Sequence, residues 1–104
     1  MEQDPTTTDP RLYTVIFENE RVRVLEYRDR PGDRTHEHHH GDSVMVTLSA
    51  FRRELTVEGA TRAVELPAHH VQWLPAQDHV GHNVGDTDTH VLFVELKPPA
   101  PTGG

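Results

Sequence analysis

The chain has 104 residues, enough for one domain with one modest core. Lys and Arg number 10 against 17 Asp and Glu, and the formal charge of −7 argues against nucleic acid and anionic membrane surfaces, which both require a positive footprint. Cysteine is absent, so disulfides, redox thiols and thiolate metal ligation are excluded.

Residues 1–11 open with MEQDPTTTDP, polar and acidic, and predict a flexible N-terminal arm ahead of a domain over 12–97. That opening lacks the basic and apolar regions of a secretory signal, and no stretch approaches the ~20 apolar residues of a membrane span. A cytoplasmic location is expected.

From Tyr13 onward the hydrophobic period is two. Tyr13 to Phe17 reads as a strand, Asn19-Glu20 as a turn, and Val22 to Glu26 as a second strand with Arg21 and Arg23 on a solvated face. Pro31-Gly32-Asp33 is a strong turn signal. A polar strand follows over 35–40, then an alternating one over 43–48. Phe51 to Val57 leads through Glu58-Gly59-Ala60, a hairpin turn, into Ala63 to Leu66. Val71, Trp73 and Pro75 come next, with Trp73 expected in the core or a cavity wall. Residues 79–84 form another strand, closed by Gly85-Asp86, and Thr89 to Leu96 forms the last and most apolar one. Residues 98–104 predict a disordered Pro/Gly tail. About eight or nine short strands with no helical pattern point to an all-β sandwich or barrel.

Nine histidines stand out, most of them in two groups: His36, His38, His39 and His40, then His69, His70 and His79. Imidazole suits Zn, Cu, Fe and Ni. On a strand, residues two apart share a face at about 6.8 Å, so His36 and His40 would stand roughly 13 Å apart. One ion is therefore gripped by His36 with His38, or by His38 with His40. His39 has the opposite parity and should face solvent. A second strand must supply another ligand, and His79 is the best placed. His82 should lie at the surface, and His69 and His70 should form a turn. His90 shares parity with Leu92, Val94 and Leu96, and points inward if that face is the core.

Two segments resemble the motifs of small single-domain cupins. The first runs from Asn19 to Glu26, through a Pro-Gly turn, to His38-His39-His40-Gly41-Asp42-Ser43-Val44. The second is Val71 to Asp86, containing Pro75-Ala76-Gln77-Asp78-His79-Val80-Gly81-His82-Asn83. The resemblance covers about residues 12–97 and implies an antiparallel double-sheet jelly-roll barrel with a metal inside. It carries His38, His40 and His79 over as ligands.

The sequence departs from the family pattern in two places. Where the first motif commonly has a Glu, this chain has Val44 and Met45, so a carboxylate ligand is missing. Gln77 stands where the second motif prefers Gly, and by strand parity it should not touch the ligands. Three neutral imidazoles leave a divalent ion (Zn, Fe, Mn, Ni or Cu) with its full charge and open positions for water or substrate.

The resemblance implies a metal-dependent enzyme acting on a small organic substrate, of dioxygenase, isomerase or polyketide-cyclase type. The proton-transfer candidates are His36, Asp42, Gln72 and His90. The alternatives are a non-catalytic module that binds a ligand or metal, and a metal-free structural barrel. Small cupins often pair through an edge strand, so a homodimer is expected, with Tyr13 to Phe17 as the donor.

Overall fold

The computed structural model describes residues 3–98. Its elements are α1 (Pro5–Thr8), β1 (Tyr13–Glu18), β2 (Val22–Asp29), β3 (His38–His40), β4 (Ser43–Thr47), β5 (Phe51–Val57), β6 (Ala60–Leu66), β7 (Val71–Leu74), β8 (Gln77–Asn83) and β9 (Thr89–Leu96). They form two antiparallel sheets, ordered β1-β2-β9-β4-β7 and β3-β8-β5-β6. The architecture is an all-β jelly roll whose two sheets are not joined into one continuous ring.

Turn chemistry divides the strands as the sequence predicts. Glu58 and Gly59 link β5 to β6 with φ of 51° and 79°, the two left-handed residues of a type I′ hairpin. Gly32 has φ of 91°, and the Asp33 amide donates to the Arg30 carbonyl at 3.0 Å. The polar strand expected over 35–40 is shorter, beginning only at His38. Thr35 is instead tied to Gly81 twice: its amide donates to the Gly81 carbonyl, and its hydroxyl accepts from the Gly81 amide.

The core is thin, comprising Tyr13, Leu25, Tyr27, Met45, Phe51, Val91 and Phe93. Register across the five-stranded sheet explains the choice. Leu25, Phe93 and Met45 lie in one inward row, and Tyr13, Tyr27, Val91 and Thr47 in another. The opposite parity faces out. Phe17, Val24, Val94, Val44 and Trp73 therefore form an apolar row on the outside. Trp73, expected in the core or cavity wall, is 51 % exposed, because its neighbours Gln72 and Leu74 take the inward positions of β7. The same parity corrects His90, which shares the outer face with Leu92 and Val94.

The predicted flexible arm also differs. Asp4 caps α1, accepting from the Thr6 amide, and forms an ion pair with Arg23 at 2.6 Å. Buried Asp9 accepts from the His36 amide. Arg23, expected on a solvated face, is mostly buried between Asp4 and Glu95. Two acidic side chains thus tie this segment to Arg23 of β2 and to the stretch before β3. Residues 1–2 of the expected arm and 99–104 of the expected tail lie outside the described residues. Among those described, no helix is long and apolar enough to cross a membrane.

Candidate metal centre

Register builds the site. β3 pairs with β8 so that His38 lies directly opposite His79, and His40 lies two residues along on the same face as His38. All three rings are buried, at 0 %, 1 % and 5 % exposure for His38, His40 and His79. One ligand nitrogen from each converges within 4.8 Å of the others. The His38 and His40 Nε2 atoms are 3.1 Å apart. Of the two pairings left open by strand spacing, the structure brings together His38 with His40.

The outward nitrogen of each ring is already committed. His38 Nδ1–H donates to the His36 carbonyl at 2.8 Å. His40 Nδ1–H donates to Glu95 Oε2 at 2.8 Å. His79 Nδ1–H donates to Gln77 Oε1 at 2.9 Å, and the Gln77 amide nitrogen donates to the Pro75 carbonyl, which fixes its orientation. Donation from Nδ1 leaves a lone pair on each Nε2, so three acceptors face one small space. Bringing acceptors together without a cation or proton is unfavourable, and an outer partner on each ring is the usual support of a metal-ligating histidine. Ligands about 2.1 Å from a common ion sit roughly 3.0–3.4 Å apart, and the 3.1 Å separation fits that spacing.

The electrostatics agree. Burial pushes His38 down to about 4, with His40 nearby adding to the shift. Burial, reinforced by His40 and His38, pushes His79 down to about 2. Both are therefore neutral at pH 7, as metal ligation requires. Burial alone would raise the Glu95 carboxyl, but hydrogen bonds from His40 and Arg23 outweigh it and hold it below its ordinary value. Glu95 is thus an anion fixed behind His40.

Three of the predicted site residues lie elsewhere. The His36 side chain is 80 % exposed and bonds Asp9, with only its backbone carbonyl supporting His38. Asp42 is exposed and accepts from the Ala76 amide at 2.8 Å, bracing the turn before β8. His90 bonds Glu26 at 2.8 Å on the outer face. None of these side chains lines the cavity, so they are not placed to move protons inside it. His39 pairs with Asp78 on the rim, and His69, with φ of 64°, forms the expected turn.

Several residues of the site were not singled out from the sequence. Glu95 stands among apolar residues in β9. Gln77 was dismissed on parity, yet it shares the face of His79 two residues away. Its two-residue spacing from His79 was the available signal. Tyr13 was read as an edge residue, but its hydroxyl lies 3.1 Å from His38 Nε2 and 3.3 Å from His40 Nε2.

A cavity of about 70 Å³ adjoins the imidazoles, with His38, His79, Met45, Phe93, Gln72 and Arg53 among its lining. Behind it lies a polar cluster. Arg53 donates to Asp29, to Thr89 Oγ1 at 3.1 Å and to Tyr27 Oη at 3.1 Å, and Asn83 donates to Asp29 at 3.0 Å. Arg53 is 7 % exposed, so its charge is held by this cluster rather than by water.

No protein-family model matches the chain, and no curated protein matches it. Solved structures do. A cupin domain from Bordetella pertussis Tohama I is 29 % identical with a TM-score of 0.79, over 84 % of this chain and 93 % of that one. A Cupin 2 conserved barrel domain protein from Salinispora arenicola is 24 % identical with a TM-score of 0.62, over 84 % and 76 %. The polyketide cyclase RemF from Streptomyces resistomycificus is 17 % identical with a TM-score of 0.63, over 84 % and 66 %. The last two likenesses concern the fold alone.

Proposed function

This chain is a small single-domain cupin, and we propose that it is a metal-dependent enzyme acting on a small organic substrate held between its sheets. His38, His40 and His79 would hold the ion. The observation that carries this reading is the convergence of three buried Nε2 acceptors, each ring locked by an outer hydrogen bond. A divalent ion there (zinc, iron, manganese, nickel or copper) would supply Lewis-acid polarisation of a carbonyl or chemistry with O2.

The cavity narrows the substrate. At about 70 Å³ it is far below the ~300–1,000 Å³ typical of sites for drug-sized ligands. A molecule of a few heavy atoms fits without rearrangement, which favours dioxygenase or isomerase chemistry over cyclisation of a polyketide. Met45, Phe51, Leu74 and Phe93 exclude water, while Gln72 and Thr35 offer neutral hydrogen bonds to orient a polar substituent.

A second reading is a binding module without turnover. It is favoured by one observation: among the described residues, no carboxylate lines the cavity to serve as acid or base. The discriminating experiment is metal analysis of protein purified without an affinity tag or chelator, followed by a screen of small carbonyl and enol substrates in air. About one equivalent of metal with chelator-sensitive turnover supports the enzyme. Metal with no turnover supports the module. Absence of metal even after reconstitution, or retention of it in His79→Ala, sinks the site.

We also propose a cytoplasmic homodimer. The β1 edge exposes Val15, Ile16 and Phe17, and the apolar outer row continues from Phe17 to Trp73. Two β1 edges related by a two-fold axis would extend the sheet antiparallel and shield the exposed Val15, Ile16 and Phe17.

A further inference from the structure

Tyr13 occupies an unusual position. Its Oη, the His38 Nε2 and the His40 Nε2 form a nearly equilateral triangle with sides of 3.1, 3.3 and 3.1 Å. Those sides fall within the ~3.0–3.4 Å expected between donors that share one ion. Both imidazoles have used their only proton at Nδ1, on the His36 carbonyl and on Glu95. The single phenol proton can satisfy one Nε2 and leaves the other facing oxygen lone pairs.

The ring has little freedom to leave. Tyr13 is 5 % exposed, and its centroid lies 4.6 Å from that of Tyr27 and 6.1 Å from that of Phe93. Its amide donates to the Asp9 carbonyl at 3.1 Å, which ties it to the N-terminal segment held by Arg23 and the His36 amide. Among the described residues no carboxylate bonds any of the three inward Nε2 atoms. Glu95 is turned to His40 Nδ1 and Arg23, and Met45 stands inward on β4 where the family pattern offers a carboxylate.

We propose that the phenol oxygen of Tyr13 is the fourth protein ligand, which makes the centre three imidazoles and one phenolate. The proposal rests on the metal reading above. A divalent ion bound there would displace the phenol proton to solvent, against the burial that holds the Tyr13 hydroxyl well above its ordinary value in the metal-free protein. The resulting phenolate would lower the net charge of the centre to +1 and stand in for the missing carboxylate from the opposite sheet.

The test is titration of Cu(II) into metal-free protein, read by visible absorption and by affinity. The wild type should bind one equivalent and show a phenolate-to-copper charge-transfer band. Tyr13→Phe keeps the ring packing. It should still bind one Cu(II) through the histidines, without the band, at an affinity lowered by at least the ~tenfold that loss of an outer-sphere partner costs. Tyr27→Phe, whose hydroxyl is held by Asp29 and Arg53, should keep the band. A wild-type copper protein lacking the band, or a Tyr13→Phe spectrum identical to wild type, overturns the assignment and leaves the three-histidine site standing. If Tyr13→Phe fails to fold, the wild-type and Tyr27→Phe spectra still decide. No copper binding by the wild type overturns both.

Discussion

Glu95→Gln tests whether the site depends on the anion behind His40. Glu95 is 6 % exposed and divides its two oxygens cleanly. Oε1 accepts from Arg23 Nε at 3.0 Å and Nη2 at 2.7 Å, and Oε2 accepts from His40 Nδ1 at 2.8 Å. A glutamine has only one acceptor oxygen. If that oxygen stays with Arg23, the amide NH2 meets His40 Nδ1 as a donor and drives the imidazole proton to Nε2. The inward lone pair is then lost from the metal site. If the amide turns round, Arg23 faces the NH2 and keeps Asp4 as its remaining acceptor. Loss of such an outer partner costs about 10–100-fold in metal affinity. That range corresponds to about 1.4–2.7 kcal/mol. The metal-free variant should also lose about 1–3 kcal/mol of stability from a buried group left with a mismatched partner. Competition of zinc between the protein and a chromophoric chelator measures the first quantity, and urea unfolding of the metal-free protein measures the second. A folded Glu95→Gln protein that binds zinc within about threefold of wild type refutes the reasoning, since the tautomer would then not depend on the carboxylate.

Further consequences are equally open to measurement. In the metal-free protein, His38 and His79 sit at about 4 and about 2, against ~6.5 in the unfolded chain. The unfolded state thus binds more protons below pH 6.5. Stability is full above that pH and declines as pH falls toward 4, by up to about 1.4 kcal/mol per unit for each histidine. Urea midpoints that stay flat between pH 6.5 and 4.5 would contradict this. At Gly81 an added Cβ would stand 2.5 Å from Arg53 Nη2, so Gly81→Ala must displace a guanidinium held by Asp29, Thr89 and Tyr27. The expected loss is about 1–3 kcal/mol, and an unchanged thermal midpoint would show that Arg53 moves freely. For the β1 edge, Ile16→Ser combined with Phe17→Ser should convert a dimer to a monomer in light scattering without changing zinc affinity. A wild-type protein that is monomeric at all concentrations removes the proposed interface.

The strands were legible because period-two alternation and turn residues act locally. Glu58-Gly59 needs only its own φ angles to make a hairpin, and Pro31-Gly32-Asp33 turns the chain without help. The three histidines were legible from spacing together with the family resemblance, because residues two apart on one strand must share a face. Which face points inward was a different question. In β4 and β9 both parities carry apolar residues, so alternation did not choose between Val44 and Met45, or between Val94 and Phe93. His90 points inward only if the face of Leu92 and Val94 is the core, and the structure buries the other face. Trp73, expected in the core or a cavity wall, lies outside because Gln72 and Leu74 take the inward positions of β7.

The sequence by itself therefore determined an all-β chain, its turns, and a histidine pair awaiting a partner from another strand. It also determined the lack of any thiolate and the lack of a carboxylate at the usual ligand position. Only the tertiary structure decided what surrounds the imidazoles. Glu95 is 55 residues from His40, and Tyr13 is 25 from His38, and each reaches its partner across paired sheets. Such contacts are set by the register between strands and by which sheet face is covered. Both are properties of the whole packed domain, so no local pattern of residues encodes them.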